Sequence, residues 1–279
     1  MFGRNYYTLV AGLKEYTLDT DAKSFDAKAV IGEILEELSE EDAREVRLHY
    51  AYYDCQNLIA LKAGRAAHNP LGNLSREELE TAAAGHEALP REVVDVLRAW
   101  ENPEGEEAET IPTDRPFAQA LMEAYYRACD RSKCRFQREW AAFDRDLRNV
   151  TAAVTARRAG RPVDEVTVGE GEVVEALQRS SAADFGLRGE LDYMEALISA
   201  LGDEENILEK EHRIDRIRWD KSAEIAEFDY FTIGTILSYL VRLDIVARWT
   251  QLDEKRSREF FSRLLAELEG DRRKDNTNA

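Results

Sequence analysis

Asp54-Cys55-Gln56-Asn57-Leu58-Ile59-Ala60, running on to Ala63-Gly64-Arg65, states a short phrase that the chain repeats. The second copy is Asp146-Leu147-Arg148-Asn149-Val150-Thr151-Ala152, running on to Ala159-Gly160-Arg161-Pro162. Each copy has Asp and Asn three residues apart, an apolar residue after the Asn, then Ala-Gly-Arg. Residues three apart share a helix face, so each phrase sets one carboxylate beside one amide on an otherwise apolar helix. Asn and Gly are seven residues apart in the first copy and eleven in the second. The extra four residues are close to one helical turn, so the face is kept. The phrase predicts an all-α fold of pseudo-repeated helical lobes with long helical hairpins.

The flanking segments agree. Val46, Tyr50, Tyr53, Asn57 and Ala60 alternate steps of four and three, and Ser39-Glu40-Glu41-Asp42 opens that helix as a cap. Phe136, Trp140, Phe143, Leu147, Val150 and Val154 form a second seam of the same kind. No Pro or Gly falls between Phe117 and Ala159, which predicts one helix approaching about forty residues, stopped by Gly160-Arg161-Pro162. Leu74-Ser75-Arg76-Glu77-Glu78 reads as another cap. Tyr6 to Leu13 fits either a short strand or a helix start. Leu187–Leu201, Glu204–Trp219 and Leu252–Leu268 are expected helices. Phe228 to Trp249 is apolar nearly all round, which predicts burial on several sides. Asn102 to Pro116, with three prolines and five acidic residues, is the clearest loop. The expected division is a first lobe over 1–101, a second with the long helix over 117–202, a C-terminal helical region over 203–270 and a polar tail over 271–279.

Composition limits the partners. Among 279 residues, 34% are charged and the net charge is −18. Nucleic acid and anionic membranes repel such a chain. A solvated acidic face explains the charge most simply, with a basic protein partner as the other reading. Only six prolines and fifteen glycines interrupt the chain, as long helices require. No stretch is long and apolar enough to span a membrane, and Met1 to Lys14 has no signal-like apolar core. Cys55, Cys129 and Cys134 have no metal-type spacing and read as buried thiols of a reducing compartment.

Catalytic patterns are missing. There is no Gly-x-Ser-x-Gly elbow, phosphate-cradling Gly-rich loop or His-Glu-x-x-His. Glu209-x-x-His212 has the spacing of a di-iron helix, but a di-iron bundle needs a second such pair and two more carboxylates. No catalytic residue, metal ligand or cofactor is therefore expected. Asp54, Asn57, Asp146 and Asn149 are read as structural, since a polar side chain inside a helical repeat ordinarily satisfies backbone groups of a neighbouring segment. Arg148, Arg157, Arg158 and Arg161 make a basic patch, read as solvated charge or as a partner surface.

The phrase from Asp54 to Ala63 resembles the hallmark helix of the C-type central-stalk protein of A-type and V-type rotary ATPases, whose eukaryotic counterpart is the d-type protein. Asp146 to Pro162 resembles it again, including the closing Gly160-Arg161-Pro162. Tyr6-Tyr7-Thr8-Leu9-Val10-Ala11-Gly12-Leu13, Phe228-Asp229-Tyr230-Phe231 and Tyr239-Leu240-Val241-Arg242-Leu243 are similar to a bacterial family encoded among V-type ATPase subunits, where it stands in for the C-type protein. The chain departs from the C-type pattern in two places. Asp244 has Ala247 rather than Asn three residues on, so a third copy is degenerate, and Arg65 lacks a following Pro. The resemblance implies a non-catalytic central-stalk protein joining the rotor shaft subunits to the membrane ring, cytoplasmic and peripheral to the inner membrane. A metal-dependent or other enzyme on a helical scaffold, and a helical adaptor unrelated to the ATPase, are the alternatives.

Overall fold

A computed structural model of the chain describes residues 5–17, 26–82, 85, 87–111, 113–203 and 206–252. Among these residues there is no strand, and 67% are helical, about twice the roughly one-third of an average globular protein. The helices in order are α1 (Tyr7–Gly12), α2 (Ala27–Glu37), α3 (Glu40–Lys62), α4 (Arg76–Glu80), α5 (Arg91–Glu101) and α6 (Glu106–Thr110). Then come α7 (Phe117–Asp130), α8 (Arg135–Arg158), α9 (Glu172–Arg179), α10 (Met194–Gly202) and α11 (Ile207–Ile225). A further helix, α12, covers 233–252 of the described residues. The expected helix over Leu252–Leu268 and the tail over 271–279 lie outside the described residues, apart from Leu252.

Side chains start these helices as the caps predict. The Ser39 hydroxyl accepts from the Asp42 N–H, and Glu40, Glu41 and Asp42 place three carboxylates in the first turn of α3, where the helix dipole favours them. Ser75 and Glu78 form a reciprocal capping box on α4. The repeated Ala-Gly-Arg ends both long helices in one way. Gly64 and Gly160 take φ of +66° and +65°. The next N–H then reaches back into the helix, from Arg65 to the Ala60 carbonyl at 2.9 Å and from Arg161 to the Ala156 carbonyl at 2.8 Å. That closure satisfies a carbonyl which the helix itself leaves open, and glycine takes the left-handed turn without a Cβ clash.

The helix expected from Phe117 to Ala159 is instead two, broken over 131–134. Ser132 causes the break. Its hydroxyl accepts from the Cys134 N–H at 3.0 Å and donates to the Glu45 carboxylate at 2.6 Å. Such a serine offers the backbone a partner outside the helix. α7 and α8 pack on one another as a hairpin. Likewise α10 begins only at Met194, after turns that use Gly186 at φ +78°.

Among the described residues two hydrophobic cores form. One joins α2, the start of α3, the seam of α8, and α9 to α12, around Phe136, Phe143, Leu147, Met194, Leu197 and Leu237. The other joins the rest of α3 with α4, α5 and α7, around Cys55, Leu58, Val93, Leu121 and Tyr125. α3 and α8 contribute to both. The predicted boundary at 102–116 therefore does not divide the packing. α7 lies beyond it in sequence, yet it packs on α3 and α5.

Candidate functional site

The repeated phrase holds two loops. On α3, Asn57 Nδ2 donates to the Asn69 carbonyl at 3.0 Å, and the Asn69 N–H donates to Asn57 Oδ1 at 2.6 Å. On α8, Asn149 Nδ2 donates to the Val168 carbonyl at 2.9 Å, and the Val168 N–H donates to Asn149 Oδ1 at 2.8 Å. One buried amide thus replaces one residue's worth of β-type pairing for each loop.

The two aspartates differ. Asp54 is fully buried and accepts from the Asn73 N–H, the Leu74 N–H and Asn73 Nδ2. Burial raises its pKa, and these donors only partly oppose the rise. Asp146 is half-buried and, among the described residues, pairs with its neighbour Arg145 at 3.3 Å. The Asn is repeated in function, whereas the Asp is not.

The four arginines of the expected patch make different contacts. Arg157 donates to the Ala182 and Ser180 carbonyls and lies over the Phe185 ring, 3.7 Å from its centroid. Arg158 donates to the Leu201 carbonyl at 2.7 Å. Arg161 is exposed on the loop after α8. Arg148 points inward, to Asp144 at 2.6 Å and over the Tyr52 ring at 4.4 Å.

Arg148 belongs to a cleft of about 680 Å³ between α3, α8, α11 and α12. Its walls carry Arg148, Arg161, Arg218 and Arg248 against Asp144, Glu211, Asp215 and Asp244, with Tyr52, Tyr53 and Trp140 between them. The charges are chained. Asp144 takes Arg148, the Tyr126 hydroxyl at 3.1 Å and Arg218 Nε at 3.4 Å. Asp215, 1% exposed, takes Arg218, both Arg248 contacts and the Trp249 indole N–H at 3.0 Å. Glu211 also takes Arg248. Asp244 takes His49 Nε2 at 3.2 Å and the Tyr50 hydroxyl at 3.0 Å.

Burial works to raise the pKa of Asp144, but the Arg148 and Arg218 guanidiniums overcome it and hold the carboxyl below its usual range. Among the described residues no guanidinium pairs with Asp244, and there burial prevails over its hydrogen bonds and raises the carboxyl. Burial also raises the Tyr50 and Tyr53 phenols well above their usual value. The Cys129 thiol is pushed up to about 12 by burial, and Cys134 to about 11. Neither thiol is an activated nucleophile at neutral pH.

Of the cleft's carboxylates, Asp244 alone stands out in the sequence, as the acid of the degenerate third copy. Asp215 is one of several acids on a helix that reads as charged, whereas Asp244 is the one acid in the described span of a helix that reads as apolar. His49, isolated in sequence, is buried against Asp244. The readable signal is a charge inside the apolar run from Phe228 to Val246, since a buried carboxylate requires a partner. Glu209 is exposed, and His212 lies edge-on against Trp249 at 5.6 Å. Among the described residues no group of three or more His, Cys, Asp or Glu side chains is placed to hold a metal ion. No described helix is long and apolar enough to cross a membrane.

The family model described as "Protein of unknown function (DUF2764)" matches residues 3–272. The chain belongs to that family. No curated protein matches it in sequence. The match runs through both long helices and the cleft between them, so the paired Asn contacts and the ion-pair chain lie wholly within the family's span.

Proposed function

We propose that this member of the family is a non-catalytic central-stalk component of a bacterial V/A-type rotary ATPase, of the C-type, coupling the rotor shaft to the membrane ring. The observation that carries the reading is the matched pair of long helices. α3 and α8 each clamp a following loop through one buried Asn, and each ends in the same Gly-Arg closure. These are the residues on which the resemblance to the C-type stalk protein rests, and we read them as two pseudo-repeated lobes. α12 with Asp244 stands as the degenerate third copy, because its Asp binds α3 and has no Asn beside it.

The mechanical demand on such a part is stiffness. Long helices sharing two cores, and loops clamped from within, supply it. The cleft suits a polar protein segment, such as the end of a helical shaft. Its arginines and carboxylates neutralise one another, and Arg161 and the half-exposed edges of Arg148 and Arg248 remain at the rim.

The test is co-expression of the tagged chain with the shaft and ring subunits of a bacterial V/A-type ATPase. Stoichiometric co-purification with the shaft, reduced by Arg161→Glu at the exposed cleft rim, is the expected result. Recovery of the chain free of both shaft and ring sinks the reading. Stoichiometric zinc or iron in protein purified without added metal favours an enzyme instead.

A further inference from the structure

Phe228 and Tyr230 keep 75% and 69% of their surface in water, and Tyr7 keeps 58%. Among the described residues these are three of the four exposed large hydrophobic side chains, with Ile207 the fourth. They gather in one place. Phe228-Asp229-Tyr230-Phe231 is the turn between α11 and α12, and the Tyr7 ring lies 4.7 Å from that of Phe231. Scattered apolar residues on a surface are ordinary, whereas a cluster of aromatics marks a place of contact.

The turn is held firmly in this position. The Glu227 N–H donates to the Glu224 carbonyl at 3.1 Å and the Asp229 N–H to the Ala226 carbonyl at 2.9 Å. Arg135 bridges the Asp229 carboxylate at 2.9 Å and the Ile225 carbonyl at 2.8 Å. The Tyr6 N–H donates to the Phe231 carbonyl at 2.7 Å, strapping α1 across the turn. Phe231 sits at φ +55°, a left-handed conformation that is an outlier for a bulky residue. Asp229 covers Gly234 so closely that a Cβ there would lie 2.3 Å from the carboxylate. These contacts turn Phe231 inward onto Tyr7 and leave Phe228 and Tyr230 facing out.

The rim of the patch is acidic. Arg135 pairs with both Asp229 and Glu139, Lys221 pairs with both Asp192 and Glu224, and Glu227 is exposed besides, so the described carboxylates outnumber the cations. A second copy of a chain with net charge −18, or an anionic membrane, meets repulsion at this surface. A protein surface with lysine or arginine around an apolar hollow meets attraction and gives the aromatic rings a place to bury.

We propose that Phe228 and Tyr230, with Tyr7 beside them, form a docking surface for a protein partner that offers an apolar hollow rimmed by basic residues. The surface is distinct from the cleft, and the inference does not depend on the ATPase reading.

The test places a photo-crosslinking benzoylphenylalanine at position 228 or 230 of the full chain in the cell, with position 188 as an exposed control. The expected result is one protein cross-linked from 228 and 230 but not from 188, through a peptide of net positive charge. The isolated partner should then bind the F228A/Y230A variant about tenfold or more weakly, with the melting temperature unchanged and the wild-type contact weakened by salt. Cross-links confined to a second copy, to lipid, within the chain, or to an acidic segment overturn the proposal. So does unchanged affinity of F228A/Y230A for the cross-linked protein. The identity of that protein bears separately on the ATPase reading.

Discussion

Asn149 and Val168 exchange two hydrogen bonds, amide to carbonyl and N–H to amide oxygen, at 2.9 and 2.8 Å. The side chain is 2% exposed, so neither bond has water as a ready substitute. Asn149→Ala leaves a backbone N–H and a carbonyl unpaired and should cost about 1–3 kcal/mol. Asn149→Asp keeps the acceptor but turns the donor into a second acceptor facing the Val168 carbonyl, and should cost no less. Urea denaturation of both variants checks this. An unchanged midpoint for Asn149→Ala would show that the amide serves a ligand or partner rather than the loop.

Gly72 passes so close to the first copy of the phrase that an added Cβ would lie 2.6 Å from Asp54 Oδ1 and 3.0 Å from Asn57 Nδ2. Both atoms are pinned by the loop that Gly72 belongs to, so neither can yield cheaply. Gly72→Ala should destabilise by about 1–3 kcal/mol through overpacking. Gly160→Ala meets open space but keeps φ at +65°, so its cost should be about 1–2 kcal/mol from backbone strain alone. Thermal melts of the two variants separate the mechanisms. The close packing of Gly72 on the phrase is refuted if Gly72→Ala melts with the wild type.

Much of this architecture is legible because local rules and global packing agree at particular residues. The steps of four and three from Val46 to Ala60 and from Phe136 to Val150 mark the faces that meet the cores. Ser39, Ser75 and Gly160 mark the ends. The break at 131–134 is not legible, because the partner of Ser132 is Glu45, 87 residues away. The cleft is hidden for the same reason. Asp144 and Asp215 look like solvated charge, and Asp244 like the acid of a degenerate repeat, until α3, α8, α11 and α12 bring arginines and His49 to them. The turn at Phe228 misleads in the opposite sense. Its apolar residues predict burial, but α12 starts only at 233 and leaves two aromatic rings outside.

Asp215 holds α11 to α12 through Arg248 and Trp249. Asp215→Asn removes the charge facing Arg248 and Arg218 and should cost about 3 kcal/mol, the low end for breaking a buried pair. The low end applies because the Arg248 side chain keeps 40% of its surface in water. Replacing both partners with Asp215→Leu and Arg248→Met should restore part of the loss, since apolar packing removes the unpaired charge. A double variant no more stable than Asp215→Asn would show that the pair sets geometry rather than balancing charge.

Asp144 and Asp146 lie two residues apart on α8 and are shifted in opposite directions. Burial opposes ionisation at Asp144, but Arg148 and Arg218 outweigh it and lower the pKa. Burial raises the pKa of Asp146, against which Arg145 alone is too weak. A carboxylate lowered in the folded state contributes stability that is full above the unfolded value of about 3.9 and is lost as pH falls through the folded pKa. The stability gap between the wild type and Asp144→Asn should therefore be constant near neutral pH and shrink below about pH 4. A carboxylate raised in the folded state does the reverse, because its ionisation costs more folded than unfolded. Asp146→Asn should gain on the wild type as pH rises through the carboxylate range, and then hold that gain. Urea midpoints at several pH values, over the range where all three chains fold, read both profiles. A gap for Asp144→Asn that widens in acid would overturn the assignment of Arg148 and Arg218 as the pair that keeps this buried carboxyl charged.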